Sequence, residues 1–283
     1  MDLGYLTHVA DYAPPAKVYR DTIELAVAAE ALGFTSFWVA QHHTRALHGV
    51  LPSPLLLLTA ISRHTSTIRL GTAVVVVPLE HPRRLAEDAA VLDLLAGGRL
   101  QLGLGAGSDA ESATVFGQDH LTRHGRCLAA IDELRALLGT DEHVPRADGL
   151  RERLWWATGS PAGLHAAAAR GMGVISGRPA DVPGSTVPDD LARYWANRRW
   201  AGTTGVGGPR VVVSRVARVG TPAAELVARW RHDPALELAT ELVVQTQPTR
   251  SGPDVQLPMM RLLAAEVAPA MQALGRRPPL VRV

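Results

Sequence analysis

Two adjacent histidines, His42 and His43, follow an apolar stretch typical of a buried strand in TSFWVAQHHTRALHG, residues 35–49. Imidazole titrates near neutral pH, so a histidine at the end of such a strand can give or take a proton inside a pocket. Successive strand residues point to opposite faces, and no cysteine or carboxylate lies close by at ligand spacing, so we expect no metal site. A packed pair without a catalytic role is the alternative to acid/base chemistry.

A second candidate is the glycine-rich stretch GLGAG, residues 103–107, which ends another predicted strand. Gly105 and Gly107 have no side chain, so the backbone there can cradle a phosphate or let a planar ring approach closely. Close packing of the backbone would explain the same glycines.

Hydroxyl groups and arginines supply a third set of candidates. In ATGSP, residues 157–161, Thr158 and Ser160 stand beside the backbone amides of a starting helix, which is an arrangement that binds anions. An ordinary helix cap would explain Ser160 equally well. Arg123 and Arg126 begin a further predicted helix and could direct charge toward a phosphate, although exposed helix arginines are the alternative.

Alternating strands and helices would have to position these residues. The predicted strands are 3–9, 34–40, 68–78, 99–107, 153–159, 172–177, 209–220 and 240–247. The predicted helices are 18–33, 52–65, 82–98, 125–139, 162–171, 222–232 and 257–275. Several strands are continuous runs of Val, Leu and Ile, which need cover on both faces and are typical of parallel sheets. Eight such units predict an α/β fold with a closed eight-stranded parallel β/α (TIM) barrel, in which the strand ends meet at one mouth. A doubly wound open sheet is the alternative.

Composition narrows the class of protein. The chain has 283 residues, and 47% of them are hydrophobic. Its net charge of +2 is too small to create an electrostatic field that attracts nucleic acid or anionic lipid. The single cysteine, Cys127, excludes an intrachain disulfide and fits a reducing cytoplasm. We find neither a leader pattern nor an apolar run of membrane-spanning length, so we expect a soluble cytoplasmic protein.

One segment departs from the alternation. Residues 177–208 are rich in Pro, Gly, Ser and Thr and contain a short helical piece, 193–200. So long an excursion after a barrel strand is either a functional lid or a disordered link. We favour a lid, because Trp195 and Trp200 give it something to pack with. We expect a single domain over residues 1–283.

Taken in order, these motifs resemble the bacterial luciferase-like flavin monooxygenases. The resemblance is carried by AEALGFTSFWVAQHH, by IRLGTAVVVVPLEHPRRLAEDAAVLDLLAGGRLQLGLGAG, by FGQDHLTRH, by LWWATGSPAGLHAAAARGMGVIS and by LLAAEVAPAM. Within that family the chain is most similar to a branch of FMN-dependent members that share VAQHH and a following LPSP.

The resemblance implies a fold, a reaction and a set of site residues. The fold is the eight-stranded barrel. The reaction is the splitting of dioxygen on reduced FMN, supplied as a co-substrate by a separate flavin reductase, so that a flavin hydroperoxide oxidises a small organic substrate. His42 would be the acid/base with His43 as its neighbour, and Ala73 and Val74 would form a bulge under the flavin ring. The positions implied for the flavin phosphate are Gly107, Ala157, Thr158, Gly159 and Ser160. Proteins of this kind are usually homodimers, and PSPLLLLTAISRHT could form the interface.

Departures from the family pattern leave other functions open. Ala106 stands where luciferases have a phosphate-binding arginine, so Arg123 or Arg126 would have to replace it. Gln41 stands where an acidic residue is usual, and the chain is shorter than typical members. The alternatives are an oxidoreductase that uses the deazaflavin coenzyme and a non-catalytic luciferase-like subunit.

Overall fold

The strands of the computed structural model close into a ring. The structure describes residues 1–44, 46–140, 145–178, 182, 184–200 and 209–272. The strands are β1 (Asp2–Thr7), β2 (Ser36–Val39), β3 (Arg69–Thr72, resuming at Val75–Val76), β4 (Leu100–Gly105), β5 (Leu154–Ala157), β6 (Gly173–Ser176), β7 (Val211–Arg218) and β8 (Glu241–Gln247). Each strand pairs in parallel with its neighbours in chain order, and β8 returns to β1, with Asp2 opposite Glu241. The barrel prediction is therefore confirmed, and the open-sheet alternative is wrong.

Helices cover the outside of the ring. They are α1 (Pro15–Ala31), α2 (Pro54–Ser62), α3 (Pro82–Leu95), α4 (Ala110–Val115), α5 (Arg123–Leu137), α6 (Pro161–Ala169), α7 (Val187–Trp200), α8 (Ala223–Arg231), α9 (Pro253–Leu262) and α10 (Ala268–Gln272). Many of them begin with proline, whose fixed φ and missing N–H suit the first helical position. The short α4 after β4 was not predicted from the sequence.

The barrel interior is packed with side chains. Its central cluster consists of Leu6, Trp38, Trp155, Ile175, Val212 and Val243. The two indole rings meet edge to face with centroids 5.9 Å apart, and the N–H of Trp155 donates to Gln101 at 2.9 Å. Trp156 belongs to the outer core under the helices, as strand alternation requires. Both faces of the sheet are thus apolar, and the interior cluster forms a dry floor beneath the carboxyl ends of the strands.

The helix within the predicted excursion belongs to the outer ring. α7 packs beside α6, and the hydroxyl of Tyr194 donates to the carbonyls of Met172 and Arg210 at 2.8 and 3.2 Å. Those carbonyls immediately precede β6 and β7, so this part of α7 lies at the amino ends of the strands. Trp195 donates to the carbonyl of Leu238 at 2.9 Å, and Leu238 is separated from the start of β8 only by Ala239 and Thr240.

Tyr194 and Trp195 therefore hold this part of the helix at the amino ends of the strands, away from the mouth, and the lid expected over residues 177–208 stays a prediction. Residues 201–208 lie outside the described part of the chain, as do 179–181 and 183. Among the helices described, none is both long and apolar enough to cross a bilayer.

Candidate active site at the carboxyl ends of the strands

The closed parallel ring brings the predicted strand ends to one mouth. His42 follows β2, Ala73 and Val74 interrupt β3, Gly105 ends β4 and Ala157 ends β5. The alanines and Val74 pack against the interior cluster, so they line the space directly above the dry floor. The structure thus gathers at one opening residues that are up to 115 positions apart in the sequence (157 − 42 = 115).

A chain of polar side chains crosses this mouth and includes His8, a residue not singled out from the sequence. Nε2 of His42 lies 3.2 Å from Nδ1 of His8, and the two ring centroids are 5.4 Å apart. Nε2 of His8 lies 2.8 Å from Oε1 of Gln245, whose Nε2 donates to Oγ of Ser214 at 3.4 Å. His8 directly follows β1, so a search of every strand end for titratable groups would have found it.

Burial keeps the imidazoles neutral near pH 7. It lowers the pKa of His42 to about 4, assisted by the neighbouring His8 and opposed by the carboxylate of Asp109. Burial also lowers the pKa of His8, against the opposing effect of its hydrogen bond to Oε1 of Gln245. The pKa of His43 is lowered by burial as well, with Glu80 and Asp109 acting in the other direction. A neutral imidazole carries one N–H and one lone pair, so it can donate at one nitrogen and accept at the other.

His43 points to different surroundings from His42. Its ring meets Phe116 edge to face at a centroid distance of 4.6 Å, and its buried Nε2 has no hydrogen-bond partner in the part of the chain that the structure describes. Over the described residues, no group of three or more His, Cys, Asp or Glu side chains could hold a metal ion.

Gln41 locks the end of β2 to the end of β3. Its Nε2 donates to the carbonyl of Pro52 and to Oε1 of Glu80, both at 2.9 Å, and its Oε1 accepts from the backbone N–H of Val76 at 2.7 Å. A carboxylate could make only the last of these bonds, because it has no hydrogen to donate. Glutamine therefore replaces the usual acidic residue for a structural reason that the sequence did not disclose.

The wall beside the histidines is formed by β3 and β4. β3 stops at Thr72 and resumes at Val75, and the peptide bond between Ala73 and Val74 is cis. The side chains of β4 alternate, with Gln101 reaching the interior Trp155, so Gly105 also faces inward. A Cβ at Gly105 would come within 2.6 Å of Val74. Glycine keeps this wall flat and free of side-chain bulk.

Gly107 continues this wall and needs glycine for two reasons. It has a φ of +75°, and a Cβ there would come within 2.6 Å of Val76.

Two predicted arginines surround a small cavity next to Gly107. Arg123 donates to the carbonyl of His120 at 2.8 Å, and Arg126 donates to the carbonyl of Pro78. Among the residues that the structure describes, Nε of Arg123 and Nε2 of His120 are buried without a hydrogen-bond partner. Neither arginine forms a salt bridge within the same part of the chain, although Asp109 and Asp119 also line this cavity.

The hydroxyls after β5 make local bonds at a helix start. Oγ of Ser160 accepts from the N–H of Gly163 at 3.1 Å, which is the N-cap bond of α6. Oγ1 of Thr158 accepts from the N–H of Ser160 at 3.3 Å. The capping interpretation of Ser160 is therefore confirmed, and an anion would have to share these groups with the helix.

Arg178, not predicted from the sequence, adds a charge at this edge. It follows β6, lies exposed across Gly159 and donates to its carbonyl. A Cβ at Gly159 would come within 2.5 Å of the Arg178 side chain.

Comparison with known proteins gives one family match over nearly the whole chain. The model of the luciferase-like monooxygenase family matches residues 1–272. The chain is 35% identical over 199 residues to 4-hydroxyprotoasukamycin monooxygenase of Streptomyces nodosus subsp. asukaensis, covering 64% of this chain and 53% of that protein. It is 33% identical over 104 residues to the oxygenase component of flavin-dependent trigonelline monooxygenase of Acinetobacter baylyi, covering 37% and 29%. The chain therefore spans about half, or less, of the length of these relatives.

Solved structures share the fold at low sequence identity. Monooxygenase RslO1 from Streptomyces bottropensis superimposes with a TM-score of 0.76 at 22% identity, covering 95% of this chain and 99% of that one. The oxygenating constituent of 3,6-diketocamphane monooxygenase of Pseudomonas putida, in complex with FMN, gives 0.67 at 17% identity, covering 95% and 98%. An F420-dependent secondary alcohol dehydrogenase gives 0.72 at 17% identity, also covering 95% and 98%. At these identities the likeness concerns the barrel alone.

Proposed function

Because the chain belongs to the luciferase-like monooxygenase family, we propose that it is a flavin-dependent monooxygenase that uses reduced FMN and dioxygen to oxidise a small hydrophobic organic molecule. The observation that carries this proposal is the half-buried, neutral His8–His42 pair beside the wall of Ala73, Val74 and Gly105. A proton-handling group next to a surface that a planar ring can approach is what such a reaction needs.

The residues at the mouth fit a flavin mononucleotide. A side chain at Gly105 would overlap Val74, so only backbone faces the mouth there, and the buried Nε of Arg123 has no hydrogen-bond partner among the described residues. Ala73, Val74 and Gly105 would hold the ring, while Arg123, Arg126 and Gly107 would hold the phosphate. Ala157, Thr158, Gly159 and Ser160 would complete the phosphate side, with Arg178 as a further cation. When bound, reduced FMN would supply two electrons and activate dioxygen.

The protein's own contribution is orientation, exclusion of water and control of a proton. The floor of Trp38 and Trp155 closes the mouth from below. His42, neutral at pH 7, would take or return a proton at the reacting centre, and His43 would line the mouth next to it. Phe116 packs on His43 yet remains 42% exposed, which favours a substrate with apolar surface.

The proposal includes partners and an assembly. A relative is named as an oxygenase component, which supports a separate flavin reductase as the source of reduced FMN. A cytoplasmic location is part of the same proposal and is supported by the buried free thiol of Cys127.

A homodimer is proposed through α2 and α3, which pack side by side and expose Leu56, Val91, Leu94 and Leu95. Sedimentation equilibrium tests this directly. We expect a dimer that Leu56→Arg weakens, whereas a monomeric wild type would contradict it.

The functional test measures the binding of two cofactors and the incorporation of oxygen from labelled dioxygen. Purified protein is titrated anaerobically with reduced FMN and, in parallel, with the reduced deazaflavin coenzyme. It is then mixed with ¹⁸O₂ and a panel of hydrophobic aldehydes, terpenes and aromatic compounds. We expect tighter binding of reduced FMN and incorporation of ¹⁸O into one class of compound.

Two other outcomes would replace the proposal. Preferential binding of the deazaflavin coenzyme without incorporation of ¹⁸O would identify a hydride-transferring oxidoreductase. Binding of neither cofactor would identify a non-catalytic subunit.

A further inference from the structure

We propose that His8 is a positioning residue that holds His42 with its proton on Nε2, which leaves Nδ1 as the ring nitrogen that accepts a proton. Its catalytic consequence rests on the function proposed above, whereas the location of the proton can be measured without it. The proposal assigns a role to His8, Gln245 and Ser214, which belong to three different strands or strand ends.

The direction of each hydrogen bond in this series follows from the last bond, between Gln245 and Ser214. Gln245 donates its amide N–H to Ser214, so its carbonyl oxygen is the atom 2.8 Å from Nε2 of His8. A carbonyl oxygen can only accept, so Nε2 of His8 carries a hydrogen. Neutral His8 then has a lone pair on Nδ1, and Nε2 of His42 at 3.2 Å must be the donor.

The other edge of the His42 ring is packed against backbone. Any side chain at Gly49 would overlap Cδ2 and Cγ of the His42 ring. The backbone N–H of His42 donates to the backbone carbonyl of Leu51 at 2.9 Å. Gly49 forms an isolated antiparallel β-bridge with Ala10, which lies beyond the end of β1. His8 therefore holds one ring nitrogen while Gly49 fixes the adjacent edge. Nδ1 lies on the remaining edge, where it has no hydrogen-bond partner among the described residues.

Among the described residues, no carboxylate forms an ion pair with the ring of His8 or His42. The carboxylate of Asp109 is already bonded to Thr44 and Ser112, and Glu80 accepts from Gln41. His43 is the remaining titratable neighbour, and it is also held neutral by burial. With an amide and a hydroxyl behind it instead of a carboxylate, His8 orients His42 without making it a cation.

The test locates the ring proton of His42 by NMR in the full-length chain, which is labelled with ¹⁵N-histidine and free of flavin. Long-range ¹⁵N–¹H correlation spectra distinguish a ring nitrogen that carries hydrogen from one with a lone pair, and the His42 signals are those lost in His42→Ala. We expect His42 to carry hydrogen on Nε2 in the wild type and in His8→Asn, whose Oδ1 can accept in place of Nδ1. Hydrogen on Nδ1 of His42 in the wild type overturns the proposal.

The rate at which the ¹⁸O-labelled product forms is the second measurement. We expect His8→Leu, which lacks an acceptor, to lower kcat about tenfold or more with little change in KM for reduced FMN, and His8→Asn to recover most of that loss. An active chain in which His8→Leu retains wild-type kcat and pH dependence contradicts the positioning role. If the protein does not use reduced FMN but His42 carries hydrogen on Nε2, the proposed function is wrong. The assigned position of the proton on His42 is then still correct.

Discussion

His42→Ala is expected to lower kcat by about 10²- to 10⁴-fold, the range that a positioned general acid or base contributes. The measurement is the rate of formation of the ¹⁸O-labelled product found for the wild type. Affinity for reduced FMN should change little, because the proposed flavin contacts come from β3, β4, α5 and the segments that follow β4, β5 and β6. His42 makes its ring contacts to His8 and Gly49, so the loss should fall on the chemical step.

The matched control for this variant is His64→Ala. His64 is exposed and follows α2, at the end of the barrel where β3 begins. The His64→Ala variant should have the kcat of the wild type. A wild-type kcat in His42→Ala would contradict the proposed role of His42.

The pH dependence of kcat/KM provides an independent check on the same residue. Burial lowers the pKa of His42 to about 4, so the neutral, proton-accepting form is present above that pH and disappears as the pH falls through it. The acid limb assigned to His42 should therefore lie near pH 4 instead of near 6.5, and His42→Ala should lack it. A limb near 6.5 that vanishes in His42→Ala would mean that the imidazole is solvated and not buried as in the structure.

Gly105→Val is expected to weaken binding of reduced FMN about 10- to 100-fold, as judged by anaerobic titration. The side chain at this position faces the mouth, and its Cβ alone would come within 2.6 Å of Val74. A 10- to 100-fold loss corresponds to about 1.4–2.8 kcal/mol of binding free energy, whereas the overlap with Val74 would lower the stability of the free and the bound protein alike. The added methyl groups would occupy the space proposed for the flavin ring.

A glycine in open space serves as the control for this variant. A Cβ at Gly125, on α5, meets nothing within 4 Å, so Gly125→Ala should bind reduced FMN like the wild type. Thermal unfolding of both variants separates loss of binding from loss of fold. A folded Gly105→Val protein with wild-type affinity would show that the flavin does not lie against this wall.

The barrel could be predicted from the sequence because its signals are local. Continuous apolar strands, helices with proline at their first turn and regular alternation specify a parallel ring without knowledge of long-range contacts. Predicted strand ends also located His42, Gly105 and Thr158 at one opening.

The roles of individual side chains could not be predicted in the same way. His8 acquires its importance from Gln245, 237 positions away, and Gln41 from Glu80 and Val76. Such contacts depend on how strands meet, which spacing along the chain does not encode. Trp195 favours a lid in the sequence because it offers a side chain that can pack, but the sequence does not disclose that its partner is the carbonyl of Leu238, near the amino ends of the strands.

A crystal structure of the chain with FMN bound would show where the flavin lies. We expect the isoalloxazine to lie against Ala73–Val74 and Gly105, with Nδ1 of His42 toward it and the phosphate next to Arg123 and Arg126. Flavin at any other place, or a mouth that side chains fill when flavin is present, would contradict this expectation.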